Sequence, residues 1–305
     1  MSTDKTPEEL VAGLVRLLTV TRTGEDAFAG AMQPGGVGRV FGGQVIAQAL
    51  QAAQATAPEG LEAHSLHAYF LRGGKEGLDI AYATARDFDG RSFANRRVVA
   101  SQTDEDGEPR PILNLTASFQ RPEEGLRHDD VEMPEVEPPE ELRSDMEMRH
   151  KMVERAGDRM SEAQRNLILR PRPIEMRTVD RLHWMNSEPR PPRAHSWFRA
   201  AAALPDDAAL HRAVIAYASD YTLLGTSALP HGLSWMRGEL VGASLDHAIW
   251  FHRPARADEW LLYATDAPWS GGGRGFNRGR IFNRAGELVA SVAQEGMMRR
   301  RMAKV

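Results

Sequence analysis

The chain has 305 residues, 42% hydrophobic and 26% charged, a globular composition that excludes wholesale disorder and leaves room for two cores. A net charge of −4 gives no global sign of a nucleic-acid binder. The absence of cysteine excludes disulfides, thiolate catalysis and cysteine-held metal, and it suits a reducing compartment.

Taken in chain order, the first residues, Met1-Ser2-Thr3-Asp4-Lys5, have no signal-peptide core. Phe41-Gly42-Gly43 opens a helix expected over 44–56, and no charged residue lies between Arg39 and Glu59. Gly42 and Gly43 either present backbone N–H groups to a carbonyl oxygen or phosphate, or allow a packed helix to start tightly. Strands are expected over 66–71, 78–85, 92–101 and 112–119, with turns at Asp89-Gly90 and Asp106-Gly107.

Composition changes over 121–170, where Pro134, Pro138 and Pro139 stand among Glu135, Glu137, Glu140 and Glu141. This stretch reads as a solvated linker whose later part, 146–165, forms an exposed helix. The expected organisation is thus an N-terminal unit (1–120), an acidic, Pro-rich linker (121–170) and a C-terminal unit (171–305).

The C-terminal unit repeats the order of the first. Leu210, Val214, Tyr217, Tyr221 and Leu224 recur at helical spacing. Strands follow over 243–251, 260–265, 275–282 and 288–293, with a turn at Ala285-Gly286. Tyr69-Phe70-Leu71-Arg72 matches Trp250-Phe251-His252-Arg253, and Gly90-Arg91-Ser92-Phe93 matches Gly273-Arg274-Gly275-Phe276. More loosely, Ala117-Ser118-Phe119-Gln120 matches Ser291-Val292-Ala293-Gln294. Three matches in order argue for a duplicated unit. Helix followed by an antiparallel meander excludes a parallel βαβ fold and indicates α+β. Each helix, apolar nearly all round, is expected to be wrapped by a curling sheet.

Between Arg212 and Arg237 the sole carboxylate is Asp220. A carboxylate in a buried helix must be hydrogen-bonded or shifted in pKa, which makes Asp220 a candidate base; the plainer alternative is a cap at a local break near Gly225. Gln294 ends the alternating row Leu288, Ala290, Val292 and either holds a water or marks where the strand emerges. Ser244 lacks a Gly-x-Ser-x-Gly elbow, so a serine nucleophile is unsupported. Gly271-Gly272-Gly273 reads as a flexible hairpin rather than a phosphate cradle. His64/His67 and His247/His252 do not form a metal-binding helix motif, so no metal is expected. Arg299-Arg300-Arg301 reads as a solvated tail or a phosphate contact. The last residues, Met302-Ala303-Lys304-Val305, are not a peroxisomal address, and no apolar run approaches the ~18 residues of a membrane span. The cytoplasm is the expected location.

Val40-Phe41-Gly42-Gly43-Gln44, His64-Ser65-Leu66-His67-Ala68-Tyr69-Phe70-Leu71-Arg72, Tyr217-Ala218-Ser219-Asp220, Asp246-His247-Ala248-Ile249-Trp250-Phe251-His252-Arg253-Pro254 and Gln294-Glu295-Gly296 together resemble the acyl-CoA thioesterase II family. The resemblance spans nearly the whole chain. It implies a double hotdog fold, two tandem antiparallel sheets each wrapping a long helix. It also implies hydrolysis of fatty acyl-CoA to free acid and CoA, further self-association into a homo-oligomer, and no cofactor. The family's water-positioning Asp, Thr and Gln fall on Asp220, Ser244 and Gln294, so this chain departs from the pattern with a Ser. The hydroxyl survives, but the methyl that restricts Thr rotamers is lost. Two rival readings remain at this point. One is a hotdog enoyl-CoA hydratase using Asp220 with His231; the other is a non-catalytic acyl-CoA binder.

Overall fold

The computed structural model describes residues 5–32, 38–180, 188–235 and 237–301; the terminal segments 1–4 and 302–305 read above lie outside the described residues. The chain opens with α1 (Pro7–Leu18), started by a reciprocal capping box between Thr6 and Glu9. Short strands β1 (Val20–Arg22) and β2 (Ala27–Gly30) lead to α2 (Gly42–Gln54), then β3 (Glu62–Phe70), β4 (Ile80–Asp89), β5 (Phe93–Thr103) and β6 (Pro109–Gln120). The intervening stretch holds α3 (Asp145–Ala156) and α4 (Glu162–Ile168), so the single exposed helix expected there is broken at Gly157, whose φ is +50°. The second half comprises β7 (Ile174–Thr178), β8 (Arg193–Ala200), α5 (Ala208–Ser219), α6 (Leu223–Thr226), β9 (Leu240–Ser244), β10 (Asp246–Phe251), β11 (Leu261–Gly271), β12 (Arg274–Phe282) and β13 (Leu288–Arg300).

Among the described residues the thirteen strands form one antiparallel sheet in the order β1-β2-β4-β5-β6-β3-β10-β13-β12-β11-β8-β7, with β9 also paired to β13. The two repeats join through β3 and β10, where His67 faces Ala248 and Tyr69 faces Asp246. The inner face of the sheet closes around α2 and α5, whose apolar residues share one core with α1. Ile46, Ala47, Ala49, Ala213, Val214 and Ala216 are fully buried there. This is the α+β double hotdog, and it explains why α2 carries no charge and α5 only Arg212: sheet or helix covers almost every side of each.

Four expectations need correction. The helix over the second apolar run stops at Ser219, and Leu224 belongs to the separate α6. The strand expected over 243–251 is two strands, because Leu245 interrupts β9 and β10. Part of the linker read as solvated is packed: Val131, Met133, Val136 and Leu142 lie against Trp197, Trp260, Leu262 and Phe282, and the Trp197 indole N–H donates to the Glu137 carbonyl at 2.9 Å. That covering explains why β11 is buried on successive residues rather than alternate ones, Leu261 and Tyr263 facing the helices and Leu262 and Ala264 facing the linker. Finally, Arg299 and Arg300 pair with Val241 and Leu240 as the end of β13, so they are strand rather than loose tail.

Candidate active site

The C-terminal end of α5 and the N-terminal end of α2 meet in the interior. A Cβ added at Gly43 would stand 2.4 Å from the Tyr217 carbonyl oxygen, and one at Gly42 would stand 2.7 Å from Asp220 Oδ2 and 2.9 Å from the Phe70 ring. Only glycine allows that approach, so the two glycines do serve a tight helix start. The junction is braced by Phe41, stacked on Tyr221 at 4.8 Å and edge-on to Tyr217 at 5.2 Å.

Asp220 caps α5 at this junction. Its Oδ1 accepts from the Gln294 amide Nε2 at 2.7 Å and from the Ser244 hydroxyl at 3.2 Å. The Gly43 backbone N–H also donates to the carboxylate. Burial pushes the Asp220 pKa up to about 6, and the bonds from Gln294, Ser244 and Gly43 restrain that rise. The negative end of α5 opposes ionisation, while the positive end of α2 favours it. The result is a carboxylate that is ionised at neutral pH and yet basic.

The sheet sets the other two side chains. At Ser244 the strand breaks: Leu245 N–H donates to the Glu295 carbonyl, Glu295 N–H donates to Asp246 Oδ1 at 2.7 Å, and the Leu245 carbonyl accepts from Phe70 N–H. This irregularity ends β9 with the Ser244 hydroxyl aimed at Asp220. Gln294 lies fully buried in β13, on the inner face with Ala290 and Val292. Leu288 leaves that row, because a bulge near Phe282 turns it toward the linker. The Gln294 carbonyl Oε1 is buried and has no hydrogen-bond partner among the described residues. One acceptor on the amide is therefore left for a group that enters the site.

Asp220, Ser244, Gln294, Gly42 and Gly43 thus come together. His231 does not: it sits on an exposed turn, bonded to Ser270 Oγ at 2.9 Å. The hydratase pairing of Asp220 with His231 therefore has no geometric basis. Gly271-Gly272-Gly273 closes the β11–β12 hairpin, with φ of +55° and +77° at Gly272 and Gly273, which is a conformational reason for glycine. Among the described residues no three His, Asp or Glu side chains converge as metal ligands. His64 bonds Ser118, His67 packs edge-on against Trp250, and His252 bonds Ser291. His247 and Ser219 touch the site residues and were missed as such by sequence reasoning. His247 had a signal only as a histidine within an apolar strand.

Strand pairing also corrects the repeat. Taking Tyr69 with Trp250 as equivalent puts His67 with Ala248, and their partners Thr116 and Ala293 then correspond. Gln294 is therefore matched by Ala117, not by Gln120. By the same alignment Ser244 is matched by Ala63 and His247 by Leu66. The polar constellation exists in one copy.

Comparison with known proteins supports the same picture. The family model described as acyl-CoA thioesterase matches residues 173–297, and that of the acyl-CoA thioesterase N-terminal domain matches residues 29–120. The chain is 35% identical to acyl-CoA thioesterase 2 of Haemophilus influenzae, covering 95% of this chain and 98% of that protein. It is 36% identical to human acyl-coenzyme A thioesterase 8, over 96% and 91% of the two chains. Among solved structures, an acyl-CoA thioesterase II from Mycobacterium marinum superposes with a TM-score of 0.73 at 36% identity, covering 94% of this chain and 98% of that one.

Proposed function

This chain belongs to the acyl-CoA thioesterase II family and hydrolyses acyl-CoA thioesters, and we propose that it does so with a water positioned by Asp220, Ser244 and Gln294, Ser244 acting through its hydrogen bond to Asp220. The observation that carries the assignment is the convergence of the Ser244 hydroxyl and the Gln294 amide on one oxygen of a basic, half-buried carboxylate, with Gln294 Oε1 left unpartnered among the described residues.

In the proposed reaction the water donates one proton to Asp220 and the other, as a hydrogen bond, to Gln294 Oε1. Its lone pair is then directed at the thioester carbonyl carbon. Asp220 takes the proton as the new C–O bond forms, acting as general base. The carbonyl oxygen gains negative charge at the positive end of α2, where the Gly42 N–H lies, the Gly43 N–H being taken up by Asp220. Collapse of the tetrahedral intermediate breaks the C–S bond, and the proton on Asp220 passes to the departing thiolate. The products are a carboxylic acid and CoA. Sulfur donates poorly into the carbonyl, so a thioester needs less activation than an amide. No cofactor or metal has a part in this scheme.

The substrates we propose are fatty acyl-CoA esters. The decisive test is thiol release from short, medium and long acyl-CoA esters by the wild-type protein beside Asp220→Asn. With no cysteine in the chain, the protein contributes no thiol background. Release by the wild type and a large loss in the variant is the expected result. Equal release by both would remove Asp220 from the mechanism, and binding without release would leave a non-catalytic binder.

The same reading includes a division of the chain at 120/121 and 170/171. It also includes a homo-oligomer, supported by the exposed Tyr69, Leu71 and Trp250 on or beside the two central strands; sedimentation would test this. No helix among the described residues is long and apolar enough to cross a membrane. The cysteine-free composition supports a reducing compartment, and we propose the cytoplasm.

A further inference from the structure

Beneath the three site residues lies a second layer of hydrogen bonds, completely buried, that begins at Ser219 and ends at Gln294. The Ser219 hydroxyl donates to the Ala216 carbonyl at 2.9 Å, and that acceptor is fixed because a carbonyl has no proton to give. The hydroxyl has only one proton, so toward His247 Nε2, 2.9 Å away, Ser219 Oγ must accept. His247 therefore carries its proton on Nε2 and leaves Nδ1 bare. Nδ1 stands 3.1 Å from Gln294 Nε2 and accepts from it. The second proton of the same amide goes to Asp220 Oδ1 at 2.7 Å. Both amide protons are now committed, and the Gln294 carbonyl can point only the other way.

We propose that His247 is a positioning residue of this thioesterase: held by Ser219 as the Nε2–H tautomer, it locks the orientation of the Gln294 amide so that Oε1 is presented to the attacking water. The inference rests on the reading of Gln294 as a water ligand. His247 touches no substrate and transfers no proton in the reaction.

Everything around the ring supports a fixed neutral state. His247 is fully buried, and the only side chains within hydrogen-bond distance of its nitrogens among the described residues are Ser219 and Gln294. Burial holds its pKa down to about 3, so it does not become a cation in the working range. The Tyr263 hydroxyl, itself buried, donates to the Ser219 carbonyl at 3.0 Å and fixes the backbone from which the chain starts. In the other repeat Leu66 and Ala117 occupy the places of His247 and Gln294, so the imidazole and the amide are present or absent together. Were the proton on Nδ1 instead, it would face the amide N–H groups, and the amide would turn over. Gln294 would then offer N–H groups where the water needs an acceptor.

Two substitutions separate the ring's two bonds. In His247→Asn the shorter amide can place an acceptor near the Nδ1 position, toward Gln294. In His247→Gln the longer amide can place a donor near the Nε2 position, toward Ser219, while the acceptor facing Gln294 is lost. Both should lower stability, but only His247→Gln should lower kcat strongly, by roughly 10–100-fold as for a misoriented catalytic group, with KM nearly unchanged. In a Gln294→Ala background, His247→Gln should have no further effect on kcat.

The result that overturns the positioning role is an equal fall in kcat on adding His247→Gln in the presence and absence of Gln294. If Gln294→Ala itself retains full turnover, the reading of Gln294 as water ligand fails, and this inference with it. If Gln294→Ala is impaired but His247→Gln is not, only the inference fails. Should either His247 variant fail to fold, nitrogen and carbon NMR shifts of the His247 ring in the wild-type protein decide the matter. The Nε2–H tautomer is expected, and an Nδ1–H tautomer or an imidazolium at pH 7 would overturn it.

Discussion

Gln294 Nε2 lies 2.7 Å from Asp220 Oδ1, although 74 residues separate them in the chain. One group comes from the middle of the longest strand, the other from the end of the helix that the sheet encloses. Their contact is short and charge-assisted, and it sets both the basicity of the carboxylate and the direction of the amide.

The first prediction concerns pH. Asp220 must be ionised to accept a proton, so kcat/KM should fall on the acid side through a pKa of about 6 and level off above it. A pH–rate profile from 4.5 to 8.5 measures this. Activity independent of pH across 5 to 7 would show that Asp220 is not the base.

Asp220→Asn should cost about 10²–10⁴-fold in kcat, the range of general acid–base catalysis. It should also make the protein more stable, because a folded-state pKa of about 6 against an ordinary value of 3.8 means that folding resists ionisation. For a carboxyl shifted upward, folding is favoured at low pH and that advantage is lost as pH rises through the folded value. The stabilisation by Asn, up to ~3 kcal/mol for a shift of about two units, should therefore appear at pH 8 and vanish near pH 4. Paired denaturant melts at the two pH values test this. A variant no more stable at pH 8 than the wild type would contradict it.

Ser244 contributes one hydrogen bond to a half-buried charge. Its replacement by Ala should lower kcat about tenfold or more, in line with the ~1.5–3 kcal/mol of such bonds. Ser244→Thr retains the hydroxyl and adds a methyl that narrows its rotamers, so it should match or exceed the wild-type rate. A Thr variant as impaired as the Ala variant would mean that packing, not the hydroxyl, governs this position.

Gly43→Ala places a Cβ 2.4 Å from a backbone oxygen, which cannot move aside as a flexible side chain could. A loss of about 1–3 kcal/mol is expected from the forced separation of α2 and α5, together with reduced turnover. Gly125→Ala, with nothing within 4 Å of the new atom, serves as the control and should be silent in thermal melts and rate.

How much of this was legible in the residues depends on how local each signal is. Asp220 was visible as the lone carboxylate in an apolar run, and Gln294 as the polar member of an apolar row, since both are contrasts within a single element. Ser244 had no such contrast; only the family resemblance pointed to it. In the sequence His247 shows only as one of a histidine pair, because its partners, Ser219 and Gln294, lie 28 and 47 positions away and are supplied by packing. The helix α1 was missed although Thr6 and Glu9 carry a readable capping box. The packing of the linker is hidden for a different reason: Val131, Met133, Val136 and Leu142 stand among acidic residues and are spaced so widely that they show no period. The shift in repeat alignment from Gln120 to Ala117 could be found only from strand register, because a loose match of small residues fits several offsets equally well.

The join between the repeats has a consequence of its own. β3 and β10 satisfy one another's main-chain groups along their length. A chain cut between the repeats and separated would present two bare strand edges, each a template for pairing with any extended segment nearby. Holding both repeats on one chain keeps each edge at high local concentration relative to its proper partner. Covalent continuity thus guards against promiscuous assembly, quite apart from anything it does for the reaction.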